Sequence, residues 1–167
     1  TGYAVGLALV VLAAAFVWMG EPVEPPLGRG DPAPDFDLQS LDGPRVALGD
    51  LRGEVALVNF WATWCKPCED EMPAMQRLYE TLSPEGFELV AISVDESRDD
   101  VEAFRERLGL GFPILLDPDQ TVSRRYQTTG FPESLLVDRQ GRIIERYVGP
   151  REWDHPDYVS RVRRLLE

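Results

Sequence analysis

Val55-Ala-Leu-Val-Asn-Phe-Trp-Ala-Thr-Trp-Cys-Lys-Pro-Cys68 is the stretch on which the fold turns. Val55 to Phe60 reads as an apolar run, as expected for a central strand covered on both faces. Two cysteines follow, three residues apart, where a segment from Cys65 to Leu82 reads as helix. A helix N-terminus presents unpaired N–H groups and the positive end of the dipole, which together stabilise a thiolate. The thiolate is the attacking species in disulfide exchange, so Cys65 is the expected nucleophile. Cys68, one turn along, is placed to resolve a mixed disulfide. Pro67 suits the first helical turn, where its missing N–H would be unpaired in any case.

Other uses of a Cys-x-x-Cys pair are weaker here. These are the only two cysteines, and His155 is the only histidine. A zinc site would therefore lack its remaining ligands, and no metal is expected. An inert disulfide closing so short a loop would add little stability through chain entropy, and two unrelated buried cysteines form the third alternative. No cofactor is expected beyond a redox-active Cys65–Cys68 disulfide.

Outward from the motif, strands and helices alternate. Phe36 to Gln39 and Arg45 to Leu48 flank the turn dipeptide Asp42-Gly43 and suggest a small hairpin. Phe87 to Val94 reads as a second buried strand. Ser97 to Leu108 reads as an amphipathic helix ended by Gly109. Pro113 to Leu116 suggests a short strand and Thr121 to Tyr126 a short helix. Ser134 to Val137, a turn over Asp138 to Gly141, and Arg142 to Val148 predict a terminal hairpin, and the last helix carries Val159, Val162, Leu165 and Leu166 on one side. This alternation implies an α/β sandwich with a mixed sheet.

The N-terminal part differs in kind. Residues 1–20 carry no charge and, as a helix, would reach about 30 Å, enough to cross a bilayer's hydrocarbon core. Tyr3 and Trp18 sit where interfacial aromatic rings are favoured. A single-pass membrane anchor is the expectation, with a cleavable signal peptide or a buried core helix as alternatives. Glu21 and Glu24 flank its far side and the first basic residue is Arg29, which favours translocation of the C-terminal part. Residues 21–34 hold five prolines and two glycines and read as an extended linker. Residues 35–167 are then one domain. With 17 basic and 29 acidic residues the net charge is −12, which argues against nucleic-acid binding.

Asn59-Phe-Trp-Ala-Thr-Trp-Cys-Lys-Pro-Cys68, followed by Glu71 and Pro73, resembles the thioredoxin superfamily, and more closely its membrane-tethered TlpA/ResA and CcmG/DsbE-type thiol–disulfide oxidoreductases. The resemblance runs from about Pro32 to Gly149. It implies a thioredoxin-like three-layer sandwich, a mixed sheet flanked by helices, with an N-terminal hairpin extension. Pro73 matches the proline inside the active-site helix. Gly130-Phe131-Pro132 matches the cis-proline loop, so Pro132 would face Cys65 and the backbone of Phe131 would pair with a substrate chain; the alternative is an ordinary trans proline opening a strand.

Two departures from thioredoxins proper stand out. Asn59 replaces their buried Asp, and Glu71, three residues after Cys68, occupies the place where a Glu supplies the acid in the ResA-like group. Cys68 and Glu71 share a helix face, so a carboxylate could exchange a proton with the resolving thiol; otherwise Glu69, Asp70 and Glu71 simply complement the helix dipole. Glu133, after the cis-proline, resembles the cytochrome c maturation branch, and it either selects a basic partner or is an exposed strand-start residue. Trp64 would line the approach to Cys65, and Lys66 either tunes the thiolate or is a solvated loop lysine. His155 reads as a surface turn residue.

The resemblance further implies an extracytoplasmic enzyme on the bacterial cytoplasmic membrane, facing the periplasm. Its substrate would be an apocytochrome c or a copper-site assembly protein, and its electron donor a membrane thiol protein of the CcdA/DsbD type. A peroxiredoxin-like peroxidase is the alternative chemistry. That class sets Pro four residues before its Thr, whereas Asn59 holds that place before Thr63.

Overall fold

The structure, a computed structural model, describes residues 25–167 together with Tyr3. The expected membrane span lies almost wholly outside these residues. Among the described residues no helix is long and apolar enough to cross a membrane.

In chain order the elements are β1 (Asp37–Ser40), β2 (Arg45–Ala47), a 3-10 turn (Leu48–Leu51), β3 (Val55–Trp61), α1 (Lys66–Leu82), a second 3-10 turn (Ser83–Glu85), β4 (Phe87–Ser93), α2 (Arg98–Leu108), β5 (Ile114–Leu116), α3 (Thr121–Arg125), β6 (Glu133–Val137), β7 (Ile143–Val148) and α4 (Pro156–Leu166). They build a single sheet of seven strands in the order β2-β1-β5-β4-β3-β6-β7. β3 runs parallel to β4, and β4 to β5, while both flanks are antiparallel. The N-terminal hairpin is therefore part of the main sheet, joined edge to edge through β1 and β5.

Every residue of β3 is buried, as the apolar run requires of a strand covered on both faces. Leu57 and Trp61 face one layer, where they pack with Met72, Met75 and Leu78 of α1, Val101 and Phe104 of α2, and Val162 of α4. Val58 and Phe60 face the other, with Val122 and Tyr126 at α3 and with Ala33 and Phe36 from the N-terminal segment. The sheet and its two helical layers make the mixed, thioredoxin-like sandwich.

Local signals set the boundaries. Ser97 caps α2 by accepting from the Asp100 N–H at 3.2 Å, and Gly109 ends it at φ 64°, a left-handed conformation glycine adopts without a Cβ clash. In the β6–β7 turn, Asp138 Oδ1 accepts from the N–H groups of Gln140 and Arg142 at 2.9 and 2.8 Å.

Over its described residues, 25–34, the proline-rich segment does not behave as a free linker. The Gly30 N–H donates to Ile143 O at 2.8 Å, the Ile143 N–H to Asp31 O at 2.9 Å, and the Ala33 N–H to Gly141 O at 2.9 Å. Proline density forbids a regular period, but it does not forbid an extended chain from pairing along a sheet edge.

Candidate active site

Cys65 is the N-cap of α1. Its backbone is extended, and its Sγ accepts from the Cys68 N–H at 3.2 Å. Strand β3 ends at Trp61, so the chain leaves the sheet, turns over four residues and starts the helix on the sulfur. Asp95 holds that turn, its carboxylate accepting from the Thr63 N–H at 2.9 Å and the Thr63 hydroxyl at 2.6 Å. Cys65 and Cys68 form a disulfide. The two sulfurs are not equivalent: Cys65 keeps 6% of its surface and Cys68 none. An incoming thiolate therefore reaches Cys65 first, and Cys68 acts from beneath it.

The register of β6 on β3 brings a second loop to the same sheet end, since Glu133 pairs with Phe60 and the residues before Glu133 lie beside the turn after Trp61. The Phe131–Pro132 peptide is cis. Trp64, 69% exposed, meets Phe131 edge to face with ring centroids 5.9 Å apart. Pro132 is buried and its carbonyl accepts from the Gly149 N–H at 2.9 Å, while Phe131 is half-buried. Within the described residues the N–H and C=O of Phe131 take part in no hydrogen bond, which leaves them available to an extended chain laid alongside.

Glu71 lies on the inner face of α1, 3% exposed. Its Oε1 accepts from Asn59 Nδ2 at 3.1 Å, and its Oε2 from the Arg151 N–H at 3.0 Å and Trp153 Nε1 at 3.1 Å. Burial outweighs these donors and raises its pKa from the ordinary 4.5 to about 7. Asn59 Nδ2 also donates to Ser134 Oγ at 2.9 Å, while Asn59 Oδ1 has no partner among the described residues. The carboxylate is therefore part of an interior network, and Glu71 does more than complement a helix dipole.

Three other expectations resolve as follows. Glu133 is neither substrate-facing nor an exposed strand start. It is fully buried, ion-paired with Arg146, and accepts from the Thr129 N–H at 3.0 Å. Strand alternation explains this, because a residue paired with Phe60 points into the layer away from α1. Lys66 is no loop residue but the first of α1, and its ammonium sits 2.6 Å from Asp70. That i, i+4 pair raises the Lys66 pKa and engages its charge with Asp70. Pro67, beside it, is exposed in the first turn. His155 caps α4, accepting from the Asp157 N–H at 3.3 Å on Nδ1. Sequence reading missed Asp95, Ser134, Arg146, Arg151 and Trp153, all of which contact the site or its loops from distant positions. Trp153 alone carried a signal, as a tryptophan just before the last helix.

A helix-tip disulfide beside a cis-proline loop, in this sandwich, defines a thioredoxin-like thiol–disulfide oxidoreductase. The AhpC/TSA family model matches residues 29–146. The ResA thiol–disulfide oxidoreductase of Geobacillus thermodenitrificans is 44% identical over 120 residues, covering 72% of this chain and 69% of the relative. That of Bacillus subtilis is 36% identical over 123 residues, covering 74% and 69%. A Chlorobium tepidum protein described as a thiol:disulfide interchange protein DsbE superposes with a TM-score of 0.79 at 33% identity, covering 84% of this chain and 99% of that one. The chain belongs to the AhpC/TSA family, and within it is a thiol–disulfide oxidoreductase of the ResA and DsbE-like kind.

Proposed function

We propose that this protein is a membrane-tethered reductase on the extracytoplasmic side of a bacterial cytoplasmic membrane. It reduces disulfides in selected partners, foremost the haem-attachment cysteines of an apocytochrome c; a copper-site assembly protein is the second choice. A membrane thiol protein of the CcdA/DsbD type returns the electrons. The observation that carries this reading is the buried Glu71, one turn beyond the inner sulfur and poised near neutrality.

With both cysteines reduced, the Cys65 thiolate, held at the N-terminus of α1, attacks one sulfur of the partner disulfide. The other partner sulfur leaves as a thiolate and takes a proton. Phe131 and cis-Pro132 lay the partner chain alongside, with Trp64 covering the approach. Glu71 then accepts the Cys68 proton, directly or through a water, and the Cys68 thiolate attacks Cys65 Sγ. The second partner sulfur is released, and the Cys65–Cys68 disulfide seen in the structure is formed. Two electrons pass to the partner. An oxidising compartment needs such a dedicated carrier.

Cys68→Ser removes the resolving thiol. Expressed in cells, it should accumulate Cys65–partner adducts that dithiothreitol releases and mass spectrometry identifies as apocytochrome c. A trap that captures nothing reducible contradicts the transfer mechanism, and one that captures a copper-assembly protein moves the assignment to the second choice. The family match also admits a peroxidase reading, in which Cys65 would react with hydrogen peroxide. Rapid stopped-flow oxidation of the reduced protein by micromolar peroxide would favour it, and sluggish reaction excludes it.

A further inference from the structure

The geometry points to Arg146 and Glu133 as positioning residues for the cis-proline loop, acting on substrate engagement and not on the cysteines' own redox chemistry. This rests on the reading of Phe131–Pro132 as the rail for the partner chain.

Arg146 lies on β7, and its side chain is 17% exposed. Its guanidinium is a hub. Nε meets Glu133, Nη1 donates to Tyr126 O at 3.0 Å and more weakly to Leu27 O at 3.4 Å, and Nη2 donates to Gln127 O at 2.8 Å. Glu133, fully buried, uses its second oxygen on the Thr129 N–H. Between them the two side chains fix Tyr126, Gln127 and Thr129, three of the residues between α3 and β6, while leaving the Phe131 backbone unengaged.

A planar fork with five donors can serve a carboxylate and several carbonyls at once, which an ammonium cannot do in the same geometry. The need for such a clamp is visible in Gln127, which sits at φ 53°, a left-handed conformation that a non-glycine residue holds only when its surroundings impose it. The same clamp reaches the N-terminal segment. The Leu27 N–H donates to Gln127 Oε1 at 2.8 Å, and Gln127 Nε2 donates to Pro25 O at 3.4 Å. The segment that leads toward the N-terminus is thus tied to the base of the loop that would present the partner chain.

The test compares a synthetic peptide carrying a Cys-x-x-Cys disulfide with dithiothreitol, which is too small to use the rail. Arg146→Lys keeps the charge opposite Glu133 but loses the fork. It should raise KM for the peptide about ten-fold at unchanged kcat, with the Cys65–Cys68 reduction potential and the dithiothreitol rate unmoved. Glu133→Ala should do the same, and Glu133→Gln, which still accepts from Thr129, should restore most of the wild-type KM. Pro132→Ala separates the two levels. If it leaves the peptide KM unchanged, the rail reading fails and this inference with it. If it raises KM while folded Arg146→Lys or Glu133→Ala does not, only this inference is overturned. Parallel loss of peptide and dithiothreitol rates would also overturn it, as would a shifted potential. Should Arg146→Lys not fold, the comparison of Glu133→Ala with Glu133→Gln decides alone.

Discussion

At Glu71, burial and hydrogen bonding pull the proton equilibrium in opposite directions, and burial wins. The folded-state pKa of about 7 lies above the ordinary 4.5, so the folded protein binds the extra proton in between. Its stabilising contribution is complete below pH 4.5 and is lost as pH rises to about 7, a change of roughly 3 kcal/mol. Glu71→Gln removes the titration. A glutamine oxygen can keep the Arg151 and Trp153 donors, and its amide can donate to Asn59 once Asn59 turns its unpartnered Oδ1 inward. Urea unfolding should therefore show the variant gaining on the wild type by about 3 kcal/mol between pH 4.5 and pH 7.5, with a constant difference above that. A pH-independent difference would show that the carboxyl is not held in its neutral form. Cys65, Cys68 and Glu71 were legible because each belongs to a local spacing. The donors that hold Glu71 were not, because Trp153 meets it across 82 residues of sequence and only the finished fold brings them together.

Among the elements, α2 shows how far local chemistry reaches. Its ends were legible from Ser97 and Gly109, and both caps form. Ser97→Ala deletes the bond to the Asp100 N–H and should cost about 1 kcal/mol in chemical denaturation. Disulfide exchange should be unchanged, since Asp95 and not Ser97 holds the Thr63 turn. A loss of exchange at full stability would mean α2 reports to the site. β6 shows the opposite case. Its run from Ser134 to Val137 was plain, but the strand begins one residue earlier, at Glu133. Paired with Phe60 there, the side chain points into the covered layer away from α1 and not to solvent. An acid at a strand start looks solvent-exposed in sequence. Only a partner on β7, thirteen residues on, makes its burial possible.

Over the whole molecule, the sandwich was legible from alternating strands and helices, whereas the place of the proline-rich segment was not. Backbone pairing with residues 141 and 143 carries no side-chain signature, so residues 30–33 look like spacer in composition alone. Deleting residues 1–24 should leave the thermal midpoint of the remaining domain unchanged. Deleting 1–34 removes the pairing to β7 and the buried Ala33 and should lower Tm by roughly 5–10 °C, corresponding to about 2–4 kcal/mol. Equal midpoints for the two truncations, by differential scanning calorimetry, would show that the docked segment adds nothing to stability.

The unequal exposure of the two sulfurs has a kinetic consequence. With a single doorway at Cys65, the electron donor and the client cannot be aboard together: one must depart before the other docks. Turnover then follows a ping-pong course, in which reciprocal-rate plots form parallel lines and a surplus of either visitor obstructs the other.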